Sequence, residues 1–173
     1  MTIIDTKRHI EINEGFQVIN LTEFAIGVDK QICNDEIIDN FIRSKQFSFD
    51  CLRDCVKAEP DKGYLRQAFD IDKININDFK KTDKKGVSKF LFDFINEPNW
   101  GNDRNEFAKL LDRYFIIHNE FGDNEFYILS KNWFDKEDER VIEPESLIYI
   151  YYFLIISLDR KSSSLTLIEW AYD

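Results

Sequence analysis

The run Leu147-Ile-Tyr-Ile-Tyr-Tyr-Phe-Leu-Ile-Ile-Ser-Leu158 decides the fold of this chain. Its side chains are apolar at both even-numbered and odd-numbered positions, and its Tyr and β-branched residues favour a strand over a helix. The run is shorter than the roughly 20 apolar residues that a membrane-spanning helix needs. A strand that is apolar on both faces has to be covered on both faces. The run therefore predicts a central strand of a sheet and no membrane span.

Two hairpins are predicted, one at each end of the chain. At the C-terminal end, residues 165–172 form a second apolar run, and the polar residues 159–163 provide the turn before it. At the N-terminal end, residues 2–12 and 16–28 are rich in Ile, Val, Phe and Thr and flank the turn residues Asn13-Glu14-Gly15. Both pairs of runs indicate antiparallel strands.

Between the hairpins, apolar residues recur at helical spacing in four stripes. Asn34 or Asp35 is expected to cap the first helix, and Ser48 is expected to cap a second one that ends before Pro60. The other two stripes precede a further strand at residues 126–129. The apolar residues of the four stripes are Ile37, Ile38, Phe41 and Ile42; Cys51, Leu52, Cys55 and Val56; Phe90, Leu91, Phe94 and Ile95; and Phe107, Leu110, Leu111, Tyr114 and Phe115.

The order of elements is strands, then helices, then strands, without repeated βαβ units. This order favours an α+β fold in which helices pack on one face of a mainly antiparallel sheet. A length of 173 residues suits a single domain spanning residues 1–173. Residues 61–86 fit neither period and are left unassigned. Asp103 and Glu106 have the spacing of a capping box at the start of the last helix.

Charge and cysteine content limit the partners and the compartment. The chain has 33 acidic and 23 basic residues, and a net charge of -10 argues against a nucleic-acid partner recognised through its phosphates. The N-terminal residues 1–10 lack the apolar stretch of a secretory signal, so we expect a cytoplasmic protein. Three cysteines, an odd number, do not suggest a disulfide framework of the secreted kind.

The sequence carries no recognisable catalytic motif. It lacks a phosphate-binding glycine loop and a G-x-S-x-G nucleophile motif. Cys51 and Cys55 lie on an apolar stripe, so we expect them in the core rather than on zinc. His9 lies in a predicted strand, and His118 is expected to cap the last helix as a protonated imidazole. We therefore expect a protein that is not an enzyme and that has no metal site and no cofactor.

Residues 120–145 combine nine acidic side chains and three basic ones with five large aromatic side chains. Aromatic anchors supply much of the energy of protein interfaces, and complementary charge supplies association speed and specificity. The pattern predicts a partner-binding face. In the other interpretation, Phe126 and Tyr127 belong to the core and the acids serve solubility, whereas Trp133 and Phe134 have no periodic reason to be buried. The predicted face consists of Glu120, Asp123, Glu125, Trp133, Phe134, Asp135, Glu137, Asp138 and Glu139.

This small, acidic, aromatic-rich α+β chain resembles the immunity proteins that neutralise bacterial polymorphic and contact-dependent toxins. The segments Tyr149-Ile-Tyr-Tyr-Phe-Leu-Ile-Ile-Ser-Leu-Asp159 and Leu165-Thr-Leu-Ile-Glu-Trp-Ala-Tyr-Asp173 are similar to the closing hairpin common in such proteins. The resemblance implies tight binding of a cognate toxin domain, often a basic nuclease, and blockage of its active site or substrate path. It supplies no catalytic residues to carry over.

Two alternatives stay open at this point. One is an acidic adaptor, or an inhibitor that mimics nucleic acid. The other is a divalent-metal-dependent hydrolase whose carboxylates come together from distant parts of the chain, with Asp135, Glu137, Asp138 and Glu139 among the candidates. The sequence does not decide the oligomeric state.

Overall fold

The computed structural model describes residues 1–47, 69, 73–97, 100–101, 103–130 and 149–172. The regular elements of these ranges are strands, three α-helices and one short 3₁₀ helix, as the sequence order predicts for an α+β fold. They are β1 (Thr2–Glu14), β2 (Gln17–Gly27), α1 (Asn34–Ile42), the 3₁₀ helix Ile76–Asp78, β3 (Lys80–Thr82), α2 (Lys84–Ile95), α3 (Arg104–His118), β4 (Glu125–Ser130), β5 (Tyr151–Asp159) and β6 (Ser164–Tyr172).

The six strands form one sheet in the order β1-β2-β6-β5-β4-β3, and every neighbouring pair is antiparallel. The predicted hairpins at the two ends of the chain are confirmed. The C-terminal hairpin occupies the two central positions, with Tyr151 opposite Tyr172 and Asp159 opposite Ser164. All residues of β5 from Tyr151 to Leu158 are buried, which confirms the central placement of the apolar run.

The two faces of the sheet carry separate cores, because successive side chains of a strand point to opposite faces. On one face, α2 and α3 pack against β-strand residues such as Phe153 and Trp170. On the other face, α1 packs together with Phe47 and Phe69 against residues such as Leu154. The expected placement of the helices on one face therefore holds for α2 and α3 and needs correction for α1. The reason is that β5 and β6 are apolar on both faces, so one helical layer would leave half of their side chains uncovered.

The helix starts differ from the predicted caps. Cys33, not Asn34 or Asp35, is the N-cap of α1, and its side chain makes no capping hydrogen bond. Asp103 precedes α3 as expected but makes no capping hydrogen bond, because its backbone is already helical (φ -79°, ψ -11°) and caps need an extended N-cap. The capping box occurs instead at the 3₁₀ helix, between Asn75 and Asp78.

Two features of the N-terminal hairpin follow from its backbone. Gly15 has a φ of +59°, and a side chain there would collide with the carboxylate of Glu106 on α3. β1 is an edge strand, and its pairing with β2 is irregular between Ile3 and Asp5 and again between Thr6 and Arg8.

The predicted second helix, with Ser48, Cys51 and Cys55, lies outside the described residues. Of the unassigned segment 61–86, the structure describes Phe69 and residues 73–86, which contain the 3₁₀ helix, β3 and the start of α2. None of the helices in the described ranges has both the length and the apolarity needed to cross a lipid bilayer.

The core beneath α3 gives the first testable prediction. Trp170 is 0% exposed, and its ring lies 5.2 Å from the rings of Phe107 and Tyr114. Trp170→Ala should lower the free energy of unfolding by about 3–5 kcal/mol, because it removes packed apolar surface and leaves a cavity. Urea denaturation measures this loss. The control Phe16→Ala, at a position 75% exposed, should change stability by no more than about 0.5 kcal/mol. Equal losses for the two variants would contradict the assigned core.

Candidate functional site

Three of the nine residues of the predicted partner-binding face lie in the described part of the chain. Glu120, Asp123 and Glu125 are placed between the end of α3 and the start of β4. This is the end of the sheet that also carries the β5–β6 turn, because Glu125 pairs with Leu158. The other six, Trp133, Phe134, Asp135, Glu137, Asp138 and Glu139, lie outside the described residues.

β4 separates the two parts of the predicted face along the chain. Ser130, after which the undescribed residues 131–148 begin, pairs with Phe153 near the opposite end of β5. Six strand residues rise about 17 Å, so Glu125 and Ser130 lie at different ends of the sheet. Phe126 and Tyr127 are 0% and 1% exposed, so these two aromatic side chains belong to the core, as the alternative interpretation holds.

A cleft of about 200 Å³ opens beside Glu120. It lies between the C-terminal end of α3, the strands β1 and β2, and the β5–β6 turn. Its lining combines apolar side chains with carboxylates and one guanidinium. The apolar residues are Ile10, Leu21, Ile117 and Phe121, the carboxylates are Glu23, Glu120 and Asp159, and the guanidinium is that of Arg8; Asn124, Ser162, Ser164 and Thr166 add polar groups.

Two of the predicted acids form exposed ion pairs at or near this cleft. Nη1 of Arg8 donates to Oε2 of Glu120 at 3.0 Å, and the two side chains are about half exposed. Nζ of Lys161 donates to Oδ2 of Asp123 at 3.1 Å, and the Asp123 side chain is 91% exposed. Exposed pairs of this kind contribute about 0–1 kcal/mol, so an incoming cation can replace either base.

Glu125 belongs to a different cluster, which ties α1 to β3 and β4. The hydroxyl of Tyr127 shares its proton between Oδ1 of Asp35 and Oε2 of Glu125, each at 2.9 Å. Nζ of Lys81 lies 3.2 Å from Asp35 and 3.0 Å from Glu125. The carboxylate that the sequence assigned to a partner thus holds three elements of this chain together.

The charges of this cluster shift its pKa values. Hydrogen bonds from Tyr127 and Lys81 lower the pKa of Asp35. Burial raises the pKa of Glu125, but hydrogen bonds from Asn34, Lys81 and Tyr127 outweigh it and leave that pKa below its ordinary value. Burial and the two carboxylates raise the pKa of Tyr127. At neutral pH the two carboxylates are therefore charged and the phenol keeps its proton.

His118 was expected to be a protonated cap, and that expectation needs correction. The side chain is 1% exposed, with Nε2 3.1 Å from the carbonyl oxygen of Lys84 and Nδ1 3.3 Å from the hydroxyl of Tyr114. Burial lowers the pKa of His118, so the ring is neutral. A proton on Nε2 donates to the Lys84 carbonyl, which joins α3 to α2. His9 lies on exposed β1, where Nδ1 is 2.9 Å from the Thr22 hydroxyl.

Glu169 is a buried carboxylate that the sequence reasoning missed. It is 2% exposed on β6, and the hydroxyl of Tyr152 donates to its Oε1 at 2.7 Å. It also lines a second cavity of about 440 Å³, together with Phe24 and Leu167. A signal was present, because Glu169 is the one charged residue within the otherwise uncharged run 165–172. Within the described ranges, no three His, Cys, Asp or Glu side chains are grouped so that they could hold a metal ion.

In comparisons with known proteins, the chain matches no family model, no curated protein and no solved structure.

The buried histidine predicts a pH dependence of stability. The folded state resists protonation of His118, whereas the unfolded chain takes up a proton near the ordinary pKa of 6.5. The contribution of the neutral ring is therefore complete above that value, and it is lost as the pH falls below it towards the folded pKa, by at most about 1.4 kcal/mol per pH unit. Urea unfolding between about pH 8 and about pH 5 should show a loss that His118→Gln removes. His9→Gln, on exposed β1, should keep the wild-type loss of stability. If the two variants showed the same pH dependence, the assignment of this loss to His118 would be contradicted.

The cluster around Tyr127 predicts a measurable coupling. Tyr127→Phe removes the hydroxyl shared by Asp35 and Glu125 and should cost about 1–2 kcal/mol, since a hydrogen bond to a charged group is worth more than a neutral one. A double-mutant cycle with Glu125→Gln, followed by urea denaturation, measures the interaction. The two losses should be non-additive. Strict additivity would mean that the hydroxyl and the carboxylate do not interact.

Proposed function

We propose that this protein is an immunity protein, which binds a basic toxin domain and blocks its active site or its substrate path. The observation that carries the proposal is the accessible group of carboxylates at the end of α3. Three carboxylates and one guanidinium line the cleft there, a formal charge of -2; Lys7 pairs with Glu23 of the cleft, and Lys161 pairs with the exposed Asp123 nearby. A surface of this kind suits a partner that presents basic side chains.

Charge supports the proposal in two ways. The whole chain carries a net charge of -10, which attracts a cationic protein over a distance of about one Debye length. Near the surface, Glu120 and Asp123 form exposed ion pairs with Arg8 and Lys161. A toxin that binds nucleic acid needs a basic site, and an acidic protein face is complementary to such a site.

The aromatic part of the proposed face rests on the sequence. Trp133 and Phe134 precede a run of acids without any periodic reason for burial, and large aromatic side chains are frequent energetic centres of interfaces. Phe121 adds an aromatic ring to the cleft, where it is partly buried. Together with the carboxylates, these residues define the face that we assign to the toxin.

The first test is the identity of the partner. Affinity purification of the tagged protein from its own host, followed by mass spectrometry, should recover one basic toxin domain in a stoichiometric complex. Recovery of the protein alone, while candidate toxins are expressed in the same cells, would contradict the proposal. Recovery of a DNA-binding protein that DNA displaces would favour the nucleic-acid-mimic alternative.

The second test uses variants with the captured partner. Combined Glu120→Lys and Asp123→Lys substitutions should lower the association rate constant roughly tenfold, because they invert the local charge. Trp133→Ala should act mainly on the dissociation rate, because it removes an anchor. Biolayer interferometry separates the two rates. The matched control is Glu36→Lys, an exposed charge reversal on α1, which should leave both rates near wild type. Unchanged binding of both the Glu120→Lys/Asp123→Lys variant and Trp133→Ala would mean that another face binds the partner.

A further inference from the structure

We propose that the cleft beside Glu120 is a receptor for one arginine side chain of the partner, and that Arg8 occupies the guanidinium position in the free protein. The inference rests on the proposed function for the identity of the partner. The recognition chemistry itself comes from the lining of the cleft. Four features of that lining support it: the hydrogen-bond acceptors, the apolar wall, the size of the cleft and the geometry of Arg8.

One buried acceptor of the cleft has no donor among the described residues. Nδ2 of Asn124 donates to Oγ of the buried Ser157 at 2.8 Å, which fixes the orientation of the amide. Oδ1 of the same amide is buried, and no described residue donates a hydrogen bond to it. Thr166 is only 7% exposed and lines the same cleft. A buried acceptor without a donor favours a ligand that brings one.

A guanidinium matches the acceptors of the cleft. It carries five N–H donors and no acceptor, and it stays charged at every physiological pH. The carboxylates of Glu23, Glu120 and Asp159 line the cleft, and Nζ of Lys7 already lies 3.6 Å from Oε1 of Glu23. Asp159 already accepts hydrogen bonds from the backbone of the β5–β6 turn, so Glu120 is the carboxylate most available to a ligand.

The apolar wall and the size of the cleft suit one side chain. Ile10, Leu21, Ile117 and Phe121 provide a surface for the methylene stem of an arginine, whose planar head also stacks on aromatic rings. A volume of about 200 Å³ is smaller than the roughly 300–1,000 Å³ of sites for drug-sized ligands. The cleft therefore accepts a side chain rather than a peptide segment.

Arg8 shows how a guanidinium is held here. Its Nη1 lies 3.0 Å from Oε2 of Glu120, although the two residues are 112 positions apart in the chain. The register of β1 shifts between Thr6 and Arg8, and irregularities of this kind re-aim side chains. The side chain of Arg8 is about half exposed, so an arginine from outside can displace it.

The test uses a small probe and the full-length protein. A ¹H–¹⁵N correlation spectrum is recorded while Nα-acetyl-arginine amide is added, and Nα-acetyl-citrulline amide serves as the neutral probe of the same shape. The arginine compound should shift the amides of cleft residues such as Phe121 and Asn124, and the citrulline compound should not. Arg8→Ala should tighten arginine binding by up to about fivefold, because the internal competitor is gone.

A second variant tests whether Glu120 contacts the arginine compound directly, which is distinct from the competition between that compound and Arg8. In the Arg8→Ala background, Glu120→Gln should weaken arginine binding again by up to about fivefold, whereas Glu36→Gln on α1 should not. The same spectra report whether each variant is folded. Equal binding of citrulline, absence of tightening in Arg8→Ala, or shifts confined to another surface would overturn the proposal.

The outcomes also separate this inference from the proposed function. Arginine binding in the cleft without any toxin recovered from the host would support the cleft and contradict the immunity function. A captured toxin that binds the Arg8→Ala variant and the Arg8→Ala/Glu120→Gln double variant equally well would support the immunity function and overturn the arginine receptor.

Discussion

The antiparallel pairing of β5 with β6 is the constraint on which the rest of the structure depends. The two strands lie at the centre of the sheet, and nearly all of their side chains are buried on both faces. Such a pair is stable in water only when both faces are covered. The positions of the described α-helices follow from this requirement, with α2 and α3 on one side and α1 on the other.

Five of the six described strands could be predicted because their signal is local, whereas β3 lies in the segment 61–86 that fits neither period. A run that is apolar at both parities identifies a central strand wherever it occurs, and Asn13-Glu14-Gly15 marks a turn without reference to the remaining chain. Helix caps are less predictable, because capping depends on backbone angles. Asp103 has the right chemistry and the right position for a cap, but a helical φ and ψ prevent its side chain from acting as one.

The candidate site was harder to predict because its contacts join distant parts of the chain. Glu125 and Asp35 share one tyrosine proton, although 90 positions separate the two carboxylates. Nothing in the acidic stretch around Glu125 distinguishes this residue from Asp123, which is exposed. The prediction of a protonated His118 was wrong for a similar reason. The side chain is buried by α2 and by the aromatic rings around it. The pattern of charges in the sequence locates an acidic region. Only tertiary contacts show which of its carboxylates stabilise the fold and which are accessible to a partner.

The irregular first strand has a consequence for the way in which other molecules can bind. β1 forms one border of the described sheet, and its two register shifts, with charges at Asp5, Lys7 and Arg8, make that border a poor template for another strand. The opposite border, β3, offers only three residues. Main-chain addition is thus disfavoured at both borders, which protects the sheet from growing into aggregates. At the borders of the described sheet, side-chain contacts are therefore favoured over main-chain addition as the mode of recognition.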